Sequence, residues 1–248
     1  MNEITFDTLN NSFTIAISKE HRPVTDAILL SAFANVKKNN VCCDFCSGCG
    51  IIPFLWYANK RNPLLTYAVE IQALPYEQMK ITVNENNLGE AFFPINKDLN
   101  ELNGEIRHNT VDVITCNPPY KIGGTGIRCD SEDRQIARHE EFCTLDDIFK
   151  VAYKLMKPGA KICMCHRPER TADIMESMRK FKIEPKRLRY VQKKSDTAPW
   201  LVLIEGRKNQ KPFLQVEAPL ITRDENGEIS DEIKQIYNSG IMNINISR

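Results

Sequence analysis

The chain has 248 residues, of which 42% are hydrophobic and 26% are charged, with a formal net charge of +1, as in an ordinary globular protein. No run of about 18 apolar residues is present, so the sequence predicts no membrane-spanning helix. The opening MNEITFDTLN lacks the basic end and apolar core of a secretory signal, and nine cysteines without that signal indicate free thiols in the cytoplasm.

Short apolar runs alternate with helical patterns along the chain. The predicted strands are 41–45, 64–69, 91–95, 111–116, 160–165, 187–191 and 201–204. The predicted helices lie near 24–36, 50–59, 72–87, 145–156 and 171–181. Strands that alternate with helices predict βαβ units in a mostly parallel sheet with right-handed crossovers. Only a short connection separates the last two strands, so they are expected to form an antiparallel hairpin.

These elements predict a doubly wound, Rossmann-like α/β fold, with a seven-stranded, mostly parallel sheet that ends in a C-terminal antiparallel hairpin. Residues 41–210 form the predicted core. Residues 1–40 are expected to add a lid or extra layer. Residues 211–248 form a more polar extension with a short helix predicted at 231–237.

The stretch VCCDFCSGCGIIPF, residues 41–54, has two interpretations. As a ferredoxin-type cluster run it has Cys43, Cys46 and Cys49 at the required spacing, but Pro53 stands where the fourth cysteine belongs. Other cysteines, such as Cys116, fall within predicted strands, where they are expected to serve as small apolar residues. We therefore predict no metal site.

As a glycine loop, the same stretch joins a strand to a helix through Ser47-Gly48-Cys49-Gly50. Glycines there permit positive φ and let a ligand approach the backbone. Glu70 follows Gly50 by 20 residues, where a carboxylate can accept both ribose hydroxyls. A third glycine would complete a dinucleotide fingerprint, but that position is Pro53, so a cofactor without a pyrophosphate, such as S-adenosyl-L-methionine, is favoured.

The tetrad NPPY, Asn117 to Tyr120, follows the fourth predicted strand of the core at the carboxyl edge of the sheet, where open α/β sheets bind ligands. A proline-stiffened turn would explain the motif taken alone. In this position, however, the Asn117 side-chain oxygen and the Pro118 carbonyl can accept the two N–H groups of a planar amine and stabilise the charge that develops on its nitrogen. Tyr120 offers a ring for stacking.

Together, DFCSGCG, VEIQ, CNPPYKIGG, IARHE, HRPER and LVLIEG resemble the tRNA1(Val) (adenine-37-N6)-methyltransferase family over about residues 13 to 225. This family is a branch of the class I methyltransferases that use S-adenosyl-L-methionine. The resemblance implies methyl transfer to the N6 amine of an adenine in RNA, with A37 of a tRNA anticodon loop as the expected target, and Asn117, Pro118 and Tyr120 as the catalytic residues.

The cofactor-binding residues that the resemblance implies are Asp44, Ser47, Gly48, Gly50, Glu70, Ile71 and Asp98. The first four would line the methionine part, Glu70 would hold the ribose, and Ile71 and Asp98 would contact the adenine. The chain departs from its relatives at Cys46, which replaces a glycine, and at Pro199-Trp200 in the hairpin.

Four basic residues are predicted to contact the substrate. Arg138 and His139 follow the NPPY segment and are expected to have a substrate-contact or structural role rather than a catalytic one. Arg187 and Arg189 lie in the locally basic KRLRYVQKK, which either grips an RNA backbone or is a strand with one solvated face.

Three other functions remain open at this stage. The same NPPY chemistry would serve transfer to a glutamine amide of a translation release factor, although that family usually has a larger helical N-terminal domain. A DNA adenine methyltransferase is less favoured, because no sizeable target-recognition domain is visible. A degenerate cofactor-binding module, with Cys46 spoiling the loop, is the non-enzyme alternative.

Overall fold

A computed structural model describes residues 4–10, 12–19, 24–102, 104–118 and 143–238. The N-terminal part forms a hairpin of β1 (Thr5–Leu9) and β2 (Phe13–Ile17), followed by helix α1 (Thr25–Phe33). The core elements are β3 (Val41–Phe45), α2 (Ile51–Ala58), β4 (Leu65–Glu70), α3 (Ala73–Glu85), β5 (Phe92–Asn96), β6 (Val111–Cys116), α4 (Leu145–Leu155), β7 (Met156–His166), α5 (Thr171–Lys180), β8 (Ile183–Gln192) and β9 (Pro199–Lys208). The C-terminal part adds β10 (Gln215–Val216), β11 (Leu220–Ile221) and α6 (Asp231–Asn238).

The main sheet has the strand order β8-β9-β7-β6-β3-β4-β5. Strands β3 to β7 are parallel, whereas β9 runs antiparallel to both β7 and β8, which confirms the predicted doubly wound fold and its terminal hairpin. The two-residue strands β10 and β11 pair with the outer edge of β8 and extend the sheet beyond the seven predicted strands. Such short pairings have too few residues to show a sequence period.

Helix α4 begins where the sequence supplies a capping box. The Thr144 hydroxyl accepts from the Asp147 backbone N–H, and the Asp147 carboxylate accepts from the Thr144 N–H. The helix ends at Leu155, and β7 begins directly at Met156, earlier than predicted. The register between β6 and β7 shifts in this first part of β7, so Pro158 and Gly159 are accommodated there as an irregularity in the strand.

The N-terminal elements are bonded to helices of the core. The Ala16 N–H donates to the Thr82 hydroxyl of α3 at 2.9 Å. Helix α1 is held to α2 through the Ser31 hydroxyl, which donates to the Ile52 carbonyl at 3.2 Å, and through the Trp56 indole, which donates to the Ser31 carbonyl. These bonds make α1 and the hairpin a fixed layer on one face of the sheet.

The C-terminal extension returns to the same side of the molecule. Ile233 and Tyr237 of α6 are buried in the hydrophobic cluster that also contains Ile28 and Leu29 of α1. Within the described ranges, none of the helices has the length and apolar character needed to cross a membrane.

Candidate active site

The predicted functional residues meet where the strand order reverses. After β5 the chain returns to the other side of β3, so β3 and β6 become parallel neighbours, with Asp44 beside Thr115 in register. Open α/β sheets bind their ligands at the carboxyl ends of strands at such a switch point. The glycine loop after β3 and Asn117 after β6 therefore lie at one edge of the sheet.

Asp44 is fully buried at the start of this loop, with a hydroxyl donor on each oxygen. Thr115 Oγ1 donates to Oδ1 at 2.5 Å, and Ser47 Oγ donates to Oδ2 at 2.7 Å. Burial raises the pKa of Asp44 from 3.8 to about 7, against the opposing effect of these hydrogen bonds. Asp44 therefore holds its proton far more strongly than an exposed carboxylate does.

Glu70, at the end of β4, binds the glycine loop to the end of this strand. Its Oε2 accepts from the Gly48 N–H at 2.8 Å, and its Oε1 accepts from the Gln72 N–H at 2.9 Å. The Ser47 N–H also donates to the Val69 carbonyl at 3.0 Å. A carboxylate has about four acceptor positions, so two remain for the hydroxyls of a ribose. The donor and acceptor set at this carboxylate thus fits the predicted cofactor.

The two glycines of the loop have different surroundings. Gly50 has φ +81°, and a Cβ there would lie 2.6 Å from the Phe54 ring and 2.9 Å from Met79. Gly48 has φ +54°, and a Cβ there would meet no atom of the described residues within 4 Å. Gly50 is therefore required by packing, whereas no described residue fills the space next to the Gly48 Cα.

Cys46, the residue that departs from the family pattern, also has a positive φ of 54°. Its thiol makes hydrogen-bonding contacts with Cys116 and Cys143, and the contact with Cys116 together with burial raises the pKa of the Cys46 thiol well above its ordinary value. Cys46 is thus a neutral thiol. No group of three or more His, Cys, Asp or Glu side chains in the described part of the chain is arranged to hold a metal ion.

Three more predicted residues lie at this edge. Asn117 is partly exposed, and its Oδ1 accepts a hydrogen bond from the Cys165 thiol at 3.1 Å. Ile71, directly after β4, is 45% exposed, and its predicted contact with a ligand stays a prediction. Asp98, after β5, uses Oδ1 to accept from the Asn100 N–H at 2.8 Å. Pro118, directly after Asn117, is buried, whereas Tyr120, Arg138 and His139 lie outside the described residues.

Arg187 and Arg189 lie on β8, three strands from β6. Arg187 stacks on Phe33, with its Cζ 3.8 Å from the ring centroid, and lies 3.3 Å from the Glu205 carboxylate. Arg189 forms two parallel hydrogen bonds to Glu232 of α6, at 2.6 and 2.8 Å. Both guanidinium groups have carboxylate partners within the chain, so their RNA contact stays a prediction that this geometry does not favour.

Two residues of the site were missed by the sequence analysis. Thr115 shares a strand face with Asn117, since it lies two residues before it, and this alternation was a usable signal. Cys165 contacts Asn117 only because β6 and β7 are adjacent, and its sequence position alone carries no sign of that.

The family is shown by the comparison with known proteins. Residues 11–168 match the family described as the methyltransferase small domain. A tRNA1(Val) (adenine(37)-N6)-methyltransferase from Histophilus somni is 26% identical over 219 residues, which cover 88% of this chain and 89% of the relative.

Two solved structures show the same fold. One, described as a predicted O-methyltransferase from Agrobacterium tumefaciens, has a TM-score of 0.71 at 14% identity and covers 87% of this chain and 96% of its own. Another, a SAM-dependent methyltransferase from Aquifex aeolicus, has a TM-score of 0.53 at 15% identity. The match covers 73% of this chain and 89% of that chain. The family match spans more than half of the chain and confirms the predicted enzyme class: this chain belongs to the methyltransferase small domain family and is an S-adenosylmethionine-dependent methyltransferase.

Proposed function

We propose that this enzyme methylates the N6 amine of an adenine in RNA, with A37 of a tRNA anticodon loop as the target. The observation that carries the proposal is the partly exposed carboxamide of Asn117 at the switch point, one strand away from the loop tied by Asp44 and Glu70. The similarity to the Histophilus somni relative, whose name states this activity, supports the choice of substrate.

The cofactor would be held by the loop and by the strand ends beside it. Asp44, Ser47, Gly48 and Gly50 would line its methionine part, where the open backbone at Gly48 leaves space. Glu70 would accept from the ribose hydroxyls through the acceptor positions that Gly48 and Gln72 leave unused. S-adenosyl-L-methionine, when bound, supplies a methyl group on a positively charged sulfur. The Glu70 and Asp98 carboxylates at this edge would favour a cationic ligand.

The adenine of the cofactor would be held by the residues that follow β4 and β5. Ile71 offers an exposed apolar side chain to one face of the base. Asp98 uses one oxygen to cap the turn that follows, so its second oxygen is the natural acceptor for the adenine amino group of the cofactor. The two residues follow the ends of β4 and β5, which are neighbouring parallel strands, and therefore lie at the same edge.

Asn117 and Pro118 would bind the amine that receives the methyl group. The lone pair of the adenine N6 is delocalised into its ring, so the amine is a weak nucleophile. Hydrogen bonds from its two N–H groups to Asn117 Oδ1 and the Pro118 carbonyl stabilise the positive charge that grows on nitrogen as it attacks. The attack itself needs no general base, because the extra proton on the methylated nitrogen can pass to solvent afterwards. Tyr120 would stack on the base once the base is turned out of its own stack.

The remaining assignments are part of the same proposal. Residues 1–40 would form the layer over the cofactor side, residues 41–210 the catalytic core, and residues 211–248 an extension. Arg138 and His139 would contact the substrate. The described cysteines are free thiols, in keeping with a cytoplasmic location, where tRNA is found.

Methyl transfer from labelled cofactor to total tRNA, followed by nucleoside analysis, tests the proposal. We expect labelled N6-methyladenosine with the wild-type enzyme and a loss of at least about a hundredfold with Asn117→Ala, the scale of a lost oxyanion-type contact. Calorimetry with the cofactor should show that Asn117→Ala still binds it. Label found only in protein would support the release-factor alternative instead, and a wild-type chain that does not bind the cofactor would indicate a degenerate module.

A further inference from the structure

The side chain of Asn117 has a partner that the proposed reaction does not itself require. Cys165, at the end of β7, is fully buried, and its Sγ lies 3.1 Å from Asn117 Oδ1. Strands β6 and β7 are parallel neighbours, with Cys116 beside Met164 in register. The next residues along the two strands are Asn117 and Cys165, so the sheet itself sets the contact.

We propose that Cys165 is a positioning residue, whose thiol fixes the Asn117 carboxamide with Oδ1 turned towards the acceptor amine. The inference rests on the proposed function, because it assigns Asn117 Oδ1 the task of accepting from that amine. It adds the means by which this oxygen, rather than the amide nitrogen, comes to face the substrate.

The carboxamide needs such a partner because its two ends have opposite hydrogen-bonding character. A half-turn about the Cβ–Cγ bond exchanges an acceptor oxygen for an NH₂ donor, which cannot accept an amine N–H. A thiol that donates to the oxygen favours one of these two orientations. The oxygen has two lone pairs, so the bond from Cys165 leaves one for the amine.

The surroundings keep Cys165 in the donor form. Burial, followed by the nearby Asp26 and Asp44, raises the pKa of the Cys165 thiol well above its ordinary value. The group therefore remains an S–H donor at neutral pH, and oxidants and alkylating agents in solvent do not reach it.

Three variants separate positioning from packing. Cys165→Ala removes the donor and leaves a small void, whereas Cys165→Ser keeps a hydroxyl donor. Cys163→Ala is the matched control: Cys163 is two residues earlier on the same face of β7, equally buried, and it pairs with Thr115 rather than with Asn117. The void in this control is the same, but the contact with Asn117 is untouched.

We expect Cys165→Ala to lower kcat for tRNA about two- to tenfold, the equivalent of one neutral hydrogen bond, with little change in KM or in cofactor affinity. Cys165→Ser should restore most of kcat, and Cys163→Ala should match the wild type. Equal kcat values for the two alanine variants, or a higher kcat for Cys165→Ala, would overturn the proposal.

A second readout does not depend on activity. The side-chain amide resonances of Asn117, assigned by their loss in Asn117→Asp, should shift or broaden in Cys165→Ala and remain near the wild-type position in Cys165→Ser and Cys163→Ala. Unchanged resonances in Cys165→Ala would refute the positioning role even if the wild type methylated no RNA. Absence of methyl transfer by the wild type, with the amide resonances behaving as expected, would refute the proposed substrate alone.

Discussion

At the scale of single residues, the glycine loop has three positive φ angles within five positions: 54° at Cys46, 54° at Gly48 and 81° at Gly50. A side chain at such a φ costs about 1 kcal/mol or more, so Cys46 adds strain that a glycine would avoid. The spacing of the glycines predicted the turn. It did not predict which glycine is fixed by packing, because Met79 comes close to Gly50 only once α3 has packed beside α2, which itself carries Phe54.

The two glycines provide a matched pair of alanine variants. Gly50→Ala places a methyl group against Phe54 and Met79, which are both fully buried and have little room to move, and should lower the free energy of unfolding by about 2 to 4 kcal/mol. The methyl group of Gly48→Ala meets none of the described residues, so this variant should cost only about 1 kcal/mol. Urea unfolding measures both.

The same pair separates stability from binding. Gly48→Ala should keep the fold yet weaken cofactor affinity, since its methyl group enters the space beside Glu70, and calorimetry at a temperature where the variant is folded measures this. Equal losses of stability in the two variants, or full cofactor affinity in Gly48→Ala, would contradict the assignment of the loop.

At the scale of elements, strand β8 shows what the sequence pattern could and could not establish. The alternation in KRLRYVQKK predicted a strand, and the strand is present. The structure does not favour the interpretation that Arg187 and Arg189 lie on a solvated face, because their side chains contact α1 and the C-terminal extension. Their partners are far along the chain, with Glu232 separated from Arg189 by 43 residues, and a local pattern does not encode such contacts.

The turn after β8 is the better candidate for RNA contact. Strand β8 is parallel to β7, so Lys193 and Lys194 lie at the same edge of the sheet as Asn117. Each phosphate contact contributes about 0.7 to the slope of log affinity against log salt for a single strand. We therefore expect Lys193→Ala combined with Lys194→Ala to reduce this slope by about 1 to 1.5 and to weaken tRNA binding.

Arg189→Ala is the control for this experiment. It removes one basic residue of the same strand, but one that is bonded to Glu232, so we expect an unchanged salt slope together with faster amide exchange in α6. Filter binding over a range of salt concentrations measures the slopes. A smaller salt slope in Arg189→Ala, together with an unchanged slope in the double lysine variant, would indicate that RNA contacts the middle of β8 and not the turn after it.

At the scale of the whole molecule, the sequence predicted what local periodicity and motif spacing encode. Such signals predicted the strands of the core and their parallel or antiparallel directions. They also predicted that Asp44, Glu70 and Asn117 lie at one edge of the sheet. The pairing of β10 and β11 with β8 and the packing of α6 against α1 could not be predicted in this way, because both depend on the complete sheet being in place. The protonation of buried groups is another property of the assembled molecule alone.

Two buried titratable groups at the same sheet edge have opposite pKa shifts. Burial raises the pKa of Asp44 from 3.8 to about 7. Burial, with help from Arg170 and Arg167, lowers the pKa of His166 from 6.5 to about 4, while its Nδ1 accepts from the Arg167 N–H. Between about pH 4 and 6.5 the folded chain therefore holds a proton on Asp44 that the unfolded chain has lost, and lacks one on His166 that the unfolded chain carries.

These two contributions to stability should cancel over that interval. Stability falls with pH where the folded state binds more protons, as at Asp44, and rises where it binds fewer, as at His166, each by about 1.4 kcal/mol per pH unit. Relative to the wild type, Asp44→Asn should therefore become more stable with rising pH, and His166→Asn less stable. Urea unfolding of all three proteins at several pH values measures the differences, in which groups common to them cancel. Parallel stability curves would show that neither side chain titrates abnormally in the fold.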